Sequence, residues 1–217
     1  MEFCIDTTDI IAVRELSKFL PVKGMTTNPS IVARGGIPLT EIIPQLRDFL
    51  GKEKLLFAQV VADSAGEMVE HAQQLHQLDE NLIVKIPASV EGVTALGLLQ
   101  GKGIVTLATA IYTPMQGILA ALAGASYLAP YISRIDAQGG SGIACVQELH
   151  RLLASYAPDC KILAASFKSP RQVLECMLEG CAGVTVSVEI AQQLLRNPAV
   201  DAAVLQFKHE WHSAFNH

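Results

Sequence analysis

The sequence predicts a closed (β/α)8 barrel, the TIM-barrel class of α/β folds, with an additional helix at its C-terminal end. Three observations predict it. Short apolar runs rich in β-forming residues recur eight times, at intervals of roughly 21 to 34 residues, with longer amphipathic stretches between them, the rhythm of successive βα units. Half of the 217 residues are hydrophobic and only 17% are charged, a balance that suits strands buried on both faces. Eight repeats of strand then helix favour closure into a barrel over an open sheet. At this length the loops must be short.

Taken in order, the expected strands are FCID (3–6), GMTTN (24–28), LLFAQV (55–60), LIVKIP (82–87), IVTLATA (104–110), YLAPYI (127–132), KILAASF (161–167) and GVTVSV (183–188). Helix signals fall between them. Ser64 and Glu67 have the spacing of a capping box, with Val69, Ala72 and Leu75 following on one face. Thr113-Pro114, Ser169-Pro170 and Asn197-Pro198 each pair an N-cap residue with proline at the first helical position. Gly101 and Gly180 suit helix C-terminal stops. Residues 1–217 are expected to form a single barrel domain, without linker or low-complexity tract. Within it, 198–217 form the extra helix, whose stripe of Val200, Val204, Phe207, Trp211 and Phe215 is too apolar to leave wet. That helix either folds back on the barrel or docks on a neighbouring subunit.

Composition narrows the function classes. Asp, Glu, Lys, Gly or Pro interrupts every apolar run before the ~18 residues needed to cross a bilayer. The opening Met-Glu-Phe-Cys-Ile-Asp lacks the basic region and long apolar stretch of a signal peptide. A cytoplasmic protein with no membrane partner is expected. The formal net charge of −5 and the absence of a Lys/Arg cluster argue against nucleic acid, yet leave room for a few local donors to hold one phosphate. Cys4, Cys145, Cys160, Cys176 and Cys181 are scattered and form no CxxC, which reads as free thiols in a reducing compartment. His209 and His212 lie three apart with no recognisable third ligand, so no metal is expected.

In this class of barrel the active site lies at the C-terminal ends of the strands. Those ends carry Asp6, Thr26 with Asn28, Gln59, Lys85, Thr109, Tyr131 with Arg134 just beyond, and Ser166. A polar residue at one strand end is ordinary; the convergence of so many on one rim is the argument. Lys85 is the sharpest case, because it interrupts the apolar Leu-Ile-Val-Lys-Ile-Pro. Alternation places Ile83 and Lys85 on one face. If that face looks into the barrel, burial lowers the pKa of the amine and makes it a nucleophile towards a ketone. A lysine snorkelling outwards, or a structural ion pair, is the plainer alternative.

Asp6 would stand near Lys85 across the barrel mouth, where a carboxylate moves protons or orients a hydroxyl. Its rival role, capping the next helix, is open to Thr7, Thr8 and Asp9 as well. Asn28 precedes Pro29, so a turn-forming role competes with a site role. Arg134, Ser166 and Lys168 follow strands six and seven and would make a phosphate clamp, to which the amides of Gly139-Gly140-Ser141-Gly142 could add; surface salt bridges are the alternative. No P-loop ending or strand-linked GxGxxG is present, so nucleotide binding is unsupported.

The strings FCIDTTD (3–9), GMTTNPSIVA (24–33), FAQV (57–60), VKIPAS (84–89), TLATAIY (106–112), APYISRIDAQGGSG (129–142) and AASFKSPRQ (164–172) resemble the transaldolase family. More closely they resemble its small bacterial subgroup, the fructose-6-phosphate aldolases. TTNPS together with a strand-borne VKIP is a specific combination, and the similarity runs from end to end.

The resemblance implies a barrel enzyme acting on a sugar phosphate, without cofactor. It implies Lys85 as the Schiff-base lysine, with Asp6, Asn28 and Thr26 holding the lysine and the substrate hydroxyls. Thr109, Gln59 and Tyr131 match the residues around a catalytic water. Arg134 and Ser166 match the phosphate contacts, with Lys168 assisting. It further implies a homo-oligomer, a pentamer or a decamer of two pentamers, in which the terminal helix packs on a neighbour. Transaldolases carry Glu and Phe where this chain has Gln59 and Tyr131. The expected activity is therefore aldol cleavage of fructose 6-phosphate to dihydroxyacetone and glyceraldehyde 3-phosphate. The alternatives are a transaldolase that moves the dihydroxyacetone unit between sugar phosphates, and a barrel that binds sugar phosphates as a sensor or scaffold.

Overall fold

Strand β1 (Glu2–Asp6) opens the chain, and seven more follow in a computed structural model that describes residues 1–215. They are β2 (Val22–Thr26), β3 (Leu55–Gln59), β4 (Ile83–Pro87), β5 (Thr106–Ile111), β6 (Tyr127–Pro130), β7 (Lys161–Ala164) and β8 (Gly183–Val186). Each pairs in parallel with the next, and β8 returns to β1, so the barrel is closed as the spacing predicts. The helices are α1 (Ile10–Leu16), α2 (Pro29–Gly35), α3 (Leu39–Leu50), α4 (Ala65–Leu78), α5 (Val90–Leu99), α6 (Pro114–Leu122), α7 (Ile132–Ala137), α8 (Gly142–Tyr156), α9 (Pro170–Leu178), α10 (Val188–Gln193) and α11 (Pro198–Phe215). The two longest intervals between strands each hold two helices, α2 with α3 and α7 with α8.

Strand alternation sorts the side chains into two layers. Cys4, Phe57, Ile83, Leu107, Tyr127, Ala129 and Leu163 fill the barrel interior. Ile5, Met25, Leu56, Val84, Ile86, Ala108, Leu128, Ile162 and Val184 face outwards and pack under the helices. At the N-terminal end Glu2 Oε1 accepts from Lys161 Nζ at 2.8 Å and from the Tyr127 hydroxyl at 3.3 Å. The Tyr127 ring meets Phe57 edge-on with centroids 5.6 Å apart. A polar clamp also ties the helical layer to itself. Arg47 Nε donates to Asp79 Oδ2 at 2.8 Å, and its Nη1 donates to the carbonyls of Gly51 and Lys54.

Helix starts follow the cap signals. The Ser64–Glu67 capping box forms at α4, and Thr113 with Gln116 makes a second at α6. Ser169 caps α9 ahead of Pro170, and Asn197 Oδ1 accepts from Ala199 N at 3.0 Å at the start of α11. Gly180 takes φ +85° just past α9, as a stop requires. The other expected stop is shifted: Gly101 lies inside a 3-10 turn (Gln100–Lys102), and Gly103, at φ +72°, ends it.

Two further expectations need correction. Strand β2 spans 22–26 rather than 24–28, because Asn28 leaves the sheet to cap α2, its Oδ1 accepting from Ile31 N at 3.0 Å. The glycine run 139–142 does not reach the rim. It turns α7 into α8, where Ser141 caps α8 and Gly142 N donates to Asp136 Oδ1 at 2.7 Å. Gly142 is required by the close approach, since a Cβ there would lie 2.7 Å from the Ile132 carbonyl oxygen. None of the described α11 residues is buried; its expected extension to Asn216 and His217 lies outside the described residues. The apolar stripe does not fold back on the barrel: Phe207, Trp211 and Phe215 are each more than 60% exposed. No described helix is long and apolar enough to cross a membrane.

Candidate active site

Lys85 points into the barrel from β4, two residues above Ile83, and is only 6% exposed. Its Nζ donates to the Thr27 carbonyl at 2.6 Å. Burial pushes the pKa of the amine below its ordinary value, and the charge of Asp6 opposes that shift. Among the described residues no carboxylate forms an ion pair with Lys85, so the structural ion-pair alternative fails. Outward snorkelling fails as well, because the side chain is interior.

The lysine lines a chamber of about 100 Å³. Leu107, Ala129, Leu163 and Ala165 make its apolar side; Asp6, Thr26, Asn28, Thr109, Tyr131 and Thr185 make its polar side. Asp6 ends β1 and accepts from Thr26 Oγ1 at 2.6 Å and from Asn28 Nδ2 at 3.3 Å. The helix that follows is capped by Asp9 instead. Asn28 plays both roles weighed for it: its amide oxygen caps α2 while its amide nitrogen meets Asp6. On the other side, Thr109 Oγ1 donates to the Tyr131 hydroxyl at 3.0 Å. Strand β5 shifts register between Ala108 and Ile111, with Ala110 at φ +55°, the kind of bulge that re-aims side chains beside a site.

Above the chamber opens a vestibule of about 600 Å³. The two share Asp6, Asn28, Arg134, Ser166 and Thr185, which form the neck between them. Arg134 stands on the first turn of α7 with its guanidinium 4.7 Å from the Tyr131 ring centroid. Its pKa is held above the ordinary value, chiefly by hydrogen bonding to the Tyr112 side chain, and it makes no ion pair among the described residues. Ser166 sits at φ +62° just after β7, its Oγ 3.1 Å from that of Ser133. For a non-glycine residue this backbone is strained, and it turns the hydroxyl towards the neck. Lys168 lies further out with Arg34 and Glu189. Hydrogen bonding from Ser187 and its own backbone amide pulls Glu189 below the usual carboxylate range, with Arg34 and Lys168 contributing. Glu189 thus sits among the vestibule's cations, Arg34 and Lys168, while Arg134 stands apart from it at the neck.

Nine of the ten predicted residues line these two spaces. Gln59 does not. It lies in register with Lys85 but lines an adjoining cleft of about 180 Å³ under α2, without a hydrogen bond to Thr109 or Tyr131. Three groups went unread in the sequence: the Thr27 carbonyl, Tyr112 and Thr185. A main-chain acceptor leaves no side-chain signal. Tyr112 lies just past a strand end, and inward alternation in GVTVSV could have pointed to Thr185. Among the described residues no cluster of three or more His, Cys, Asp or Glu is placed to hold a metal.

A family model for transaldolase/fructose-6-phosphate aldolase matches residues 3–217, almost the whole chain. The chain belongs to the transaldolase/fructose-6-phosphate aldolase family. It is thus an enzyme of the aldolase or transferase type, in a family that acts on sugar phosphates. Solved structures agree on the fold. A chain of a cube-shaped, highly porous protein cage designed by fusing symmetric oligomeric domains is 14% identical, with a TM-score of 0.59 over 99% of this chain and 78% of that one. The native KDPGal structure is 16% identical, with a TM-score of 0.61 over 89% and 90% of the two chains. In this family member a buried amine, a carboxylate and a hydroxyl pair surround one small chamber, and Arg134 stands at the neck that joins it to the vestibule. Such a set can form a carbonyl adduct on nitrogen and move protons on both sides of it.

Proposed function

We propose that this protein is a class I aldolase of the fructose-6-phosphate aldolase subgroup. It reversibly cleaves fructose 6-phosphate to dihydroxyacetone and glyceraldehyde 3-phosphate through a Schiff base on Lys85. One observation carries the reading: an amine with no carboxylate partner, its pKa lowered by burial, lines a chamber sized for a three-carbon unit.

Neutral Lys85 attacks the C2 ketone, and the carbinolamine takes up a proton and loses water to give an iminium; hydrolysis at the end of the cycle returns that proton. A water held by Tyr131 and Thr109 takes the C4 hydroxyl proton. The C3–C4 bond then breaks, its electrons flow into the iminium, and glyceraldehyde 3-phosphate departs from the resulting enamine. Protonation at C3 and addition of water release dihydroxyacetone and restore the amine. Asp6, Thr26 and Asn28 orient the amine and the donor hydroxyls. Arg134 and Ser166, assisted by Lys168, anchor the phosphate, so binding energy at that end fixes geometry at the reacting carbons. Gln59 belongs to the same water site in this reading and must turn out of its cleft to join it.

The Tyr131 hydroxyl favours the aldolase over the transaldolase, because it offers a proton donor and acceptor beside the enamine that phenylalanine lacks. The exposed stripe on α11 supports a homo-oligomer, pentameric or decameric, in which that helix covers a neighbour. Five free cysteines fit a cytoplasmic setting.

The deciding experiment measures release of glyceraldehyde 3-phosphate from fructose 6-phosphate with and without erythrose 4-phosphate. Release without the acceptor is expected. Release only with it makes the protein a transaldolase. Failure of borohydride to trap a ketose on Lys85 refutes the Schiff base and leaves the sensor or scaffold reading.

A further inference from the structure

Asp6 receives two hydrogen bonds, and each donor is locked in direction by something else. Asn28 spends its amide oxygen on the start of α2, so its nitrogen is the end that faces Asp6. Thr26 has one hydroxyl proton. Its oxygen lies 2.6 Å from Asp6 Oδ1 and also 2.6 Å from Thr185 Oγ1. A carboxylate only accepts, so Thr26 gives its proton to Asp6, and Thr185 must be the donor to Thr26. The polarity of the row Thr185 to Thr26 to Asp6 is set by counting protons.

The fold builds this row deliberately across one strand. Register places Thr26 beside Asp6 on one flank of β1, and Thr185 beside Cys4 on the other. The small Cys4 side chain, fully buried, leaves the two hydroxyls free to meet above it. Burial raises the pKa of its thiol, with Glu2 and Asp6 adding to the shift, so Cys4 stays neutral beneath the row. Thr26 is 1% and Thr185 5% exposed, so the row is shielded from bulk water. Thr185 also lines both the chamber and its neck.

We propose that Thr185 is a positioning residue for the reaction: by donating to Thr26 it fixes the Thr26 hydroxyl on Asp6, and so holds that carboxylate in its working orientation at the donor fragment. Without the Thr185 hydroxyl the Thr26 oxygen loses the contact that braces it against Asp6, while Arg134 and Ser166 are untouched. The loss therefore falls on turnover rather than on binding. The inference rests on the Schiff-base reading of Lys85.

Thr185→Val and Thr185→Ala remove the hydroxyl, and Thr185→Ser restores it. None leaves a new buried donor unpaired, since Thr26 still has Asp6. The expected result is a roughly tenfold fall in kcat for both hydroxyl-free variants, about 1.4 kcal/mol of barrier. KM for fructose 6-phosphate should stay within about twofold, with recovery in the serine variant and every variant folded, its melt within roughly 6 °C of wild type. Wild-type turnover in the valine and alanine variants, or a loss that serine does not rescue, overturns the inference while borohydride still traps the wild type. An untrapped wild type overturns the Schiff-base reading and the inference with it.

Discussion

Replacing Lys85 by methionine tests the central premise through stability, independently of any substrate. In the unfolded chain a lysine keeps its proton to about pH 10.4. In the folded protein burial lowers that pKa, with Asp6 working against the shift. The other titratable groups at the chamber are Tyr131 and Arg134; Thr26, Thr109 and Thr185 are neutral. Between the two lysine pKa values the unfolded state binds one more proton than the folded state, so wild-type stability rises with pH across that window. The slope is set by one proton, at most about 1.4 kcal/mol per pH unit. Below the folded pKa the whole penalty is present, and above the unfolded pKa it is gone. Methionine has similar length and does not titrate, and every other titrating group is common to both proteins. The difference in unfolding free energy between wild type and Lys85→Met should therefore move in favour of the wild type as pH rises. The offset at one pH is not diagnostic, because the variant strips the Thr27 carbonyl of its donor, at a cost of about 1–3 kcal/mol. Urea denaturation of both proteins from pH 7 to 10 reads the slope. Parallel stability curves would refute the depressed amine, and with it the reason for choosing Lys85 as nucleophile.

Tyr131→Phe keeps the ring under Arg134 but removes the hydroxyl that accepts from Thr109. It should slow net release of dihydroxyacetone by about 100-fold and transfer to an added aldose much less; equal losses would show that the hydroxyl does not steer the enamine. Asp79→Ala leaves Arg47, whose side chain is 13% exposed in the intact protein, with no carboxylate. It should cost about 3 kcal/mol, seen as a melting temperature lower by roughly 6–12 °C, with kcat unchanged because the clamp lies outside both site cavities. A melt within 2 °C of wild type would show that the clamp is dispensable.

The barrel was legible because its signal is redundant. Eight apolar runs and repeated Ser/Thr/Asn caps report one topology, so misplacing β2 by two residues changed nothing about strand order. The rim was legible for a related reason, since alternation dictates that Lys85 follows Ile83 inwards. What escaped depends on distance in space. Thr185 matters through a contact with Thr26 across β1, 159 positions along the chain, and no local pattern encodes that. The glycine run misled because flexible glycine is shared by anion-binding loops and tight helix corners. Only the nearness of Ile132 and Ile135 shows that it serves the second.

If the protein runs the proposed aldol reaction, the neck shared by vestibule and chamber bears on the order of traffic. In that reaction a three-carbon ketone at Lys85 would leave through the vestibule past Asp6, Asn28, Arg134, Ser166 and Thr185. A phosphorylated aldehyde seated on Arg134 stands in that path. The proposed cleavage would then release the aldehyde first and the ketone last, and synthesis would take the ketone first. An aldehyde that arrived early at an empty enzyme would close the door on its own partner, and under the proposed reading excess aldehyde phosphate would inhibit the condensation it takes part in.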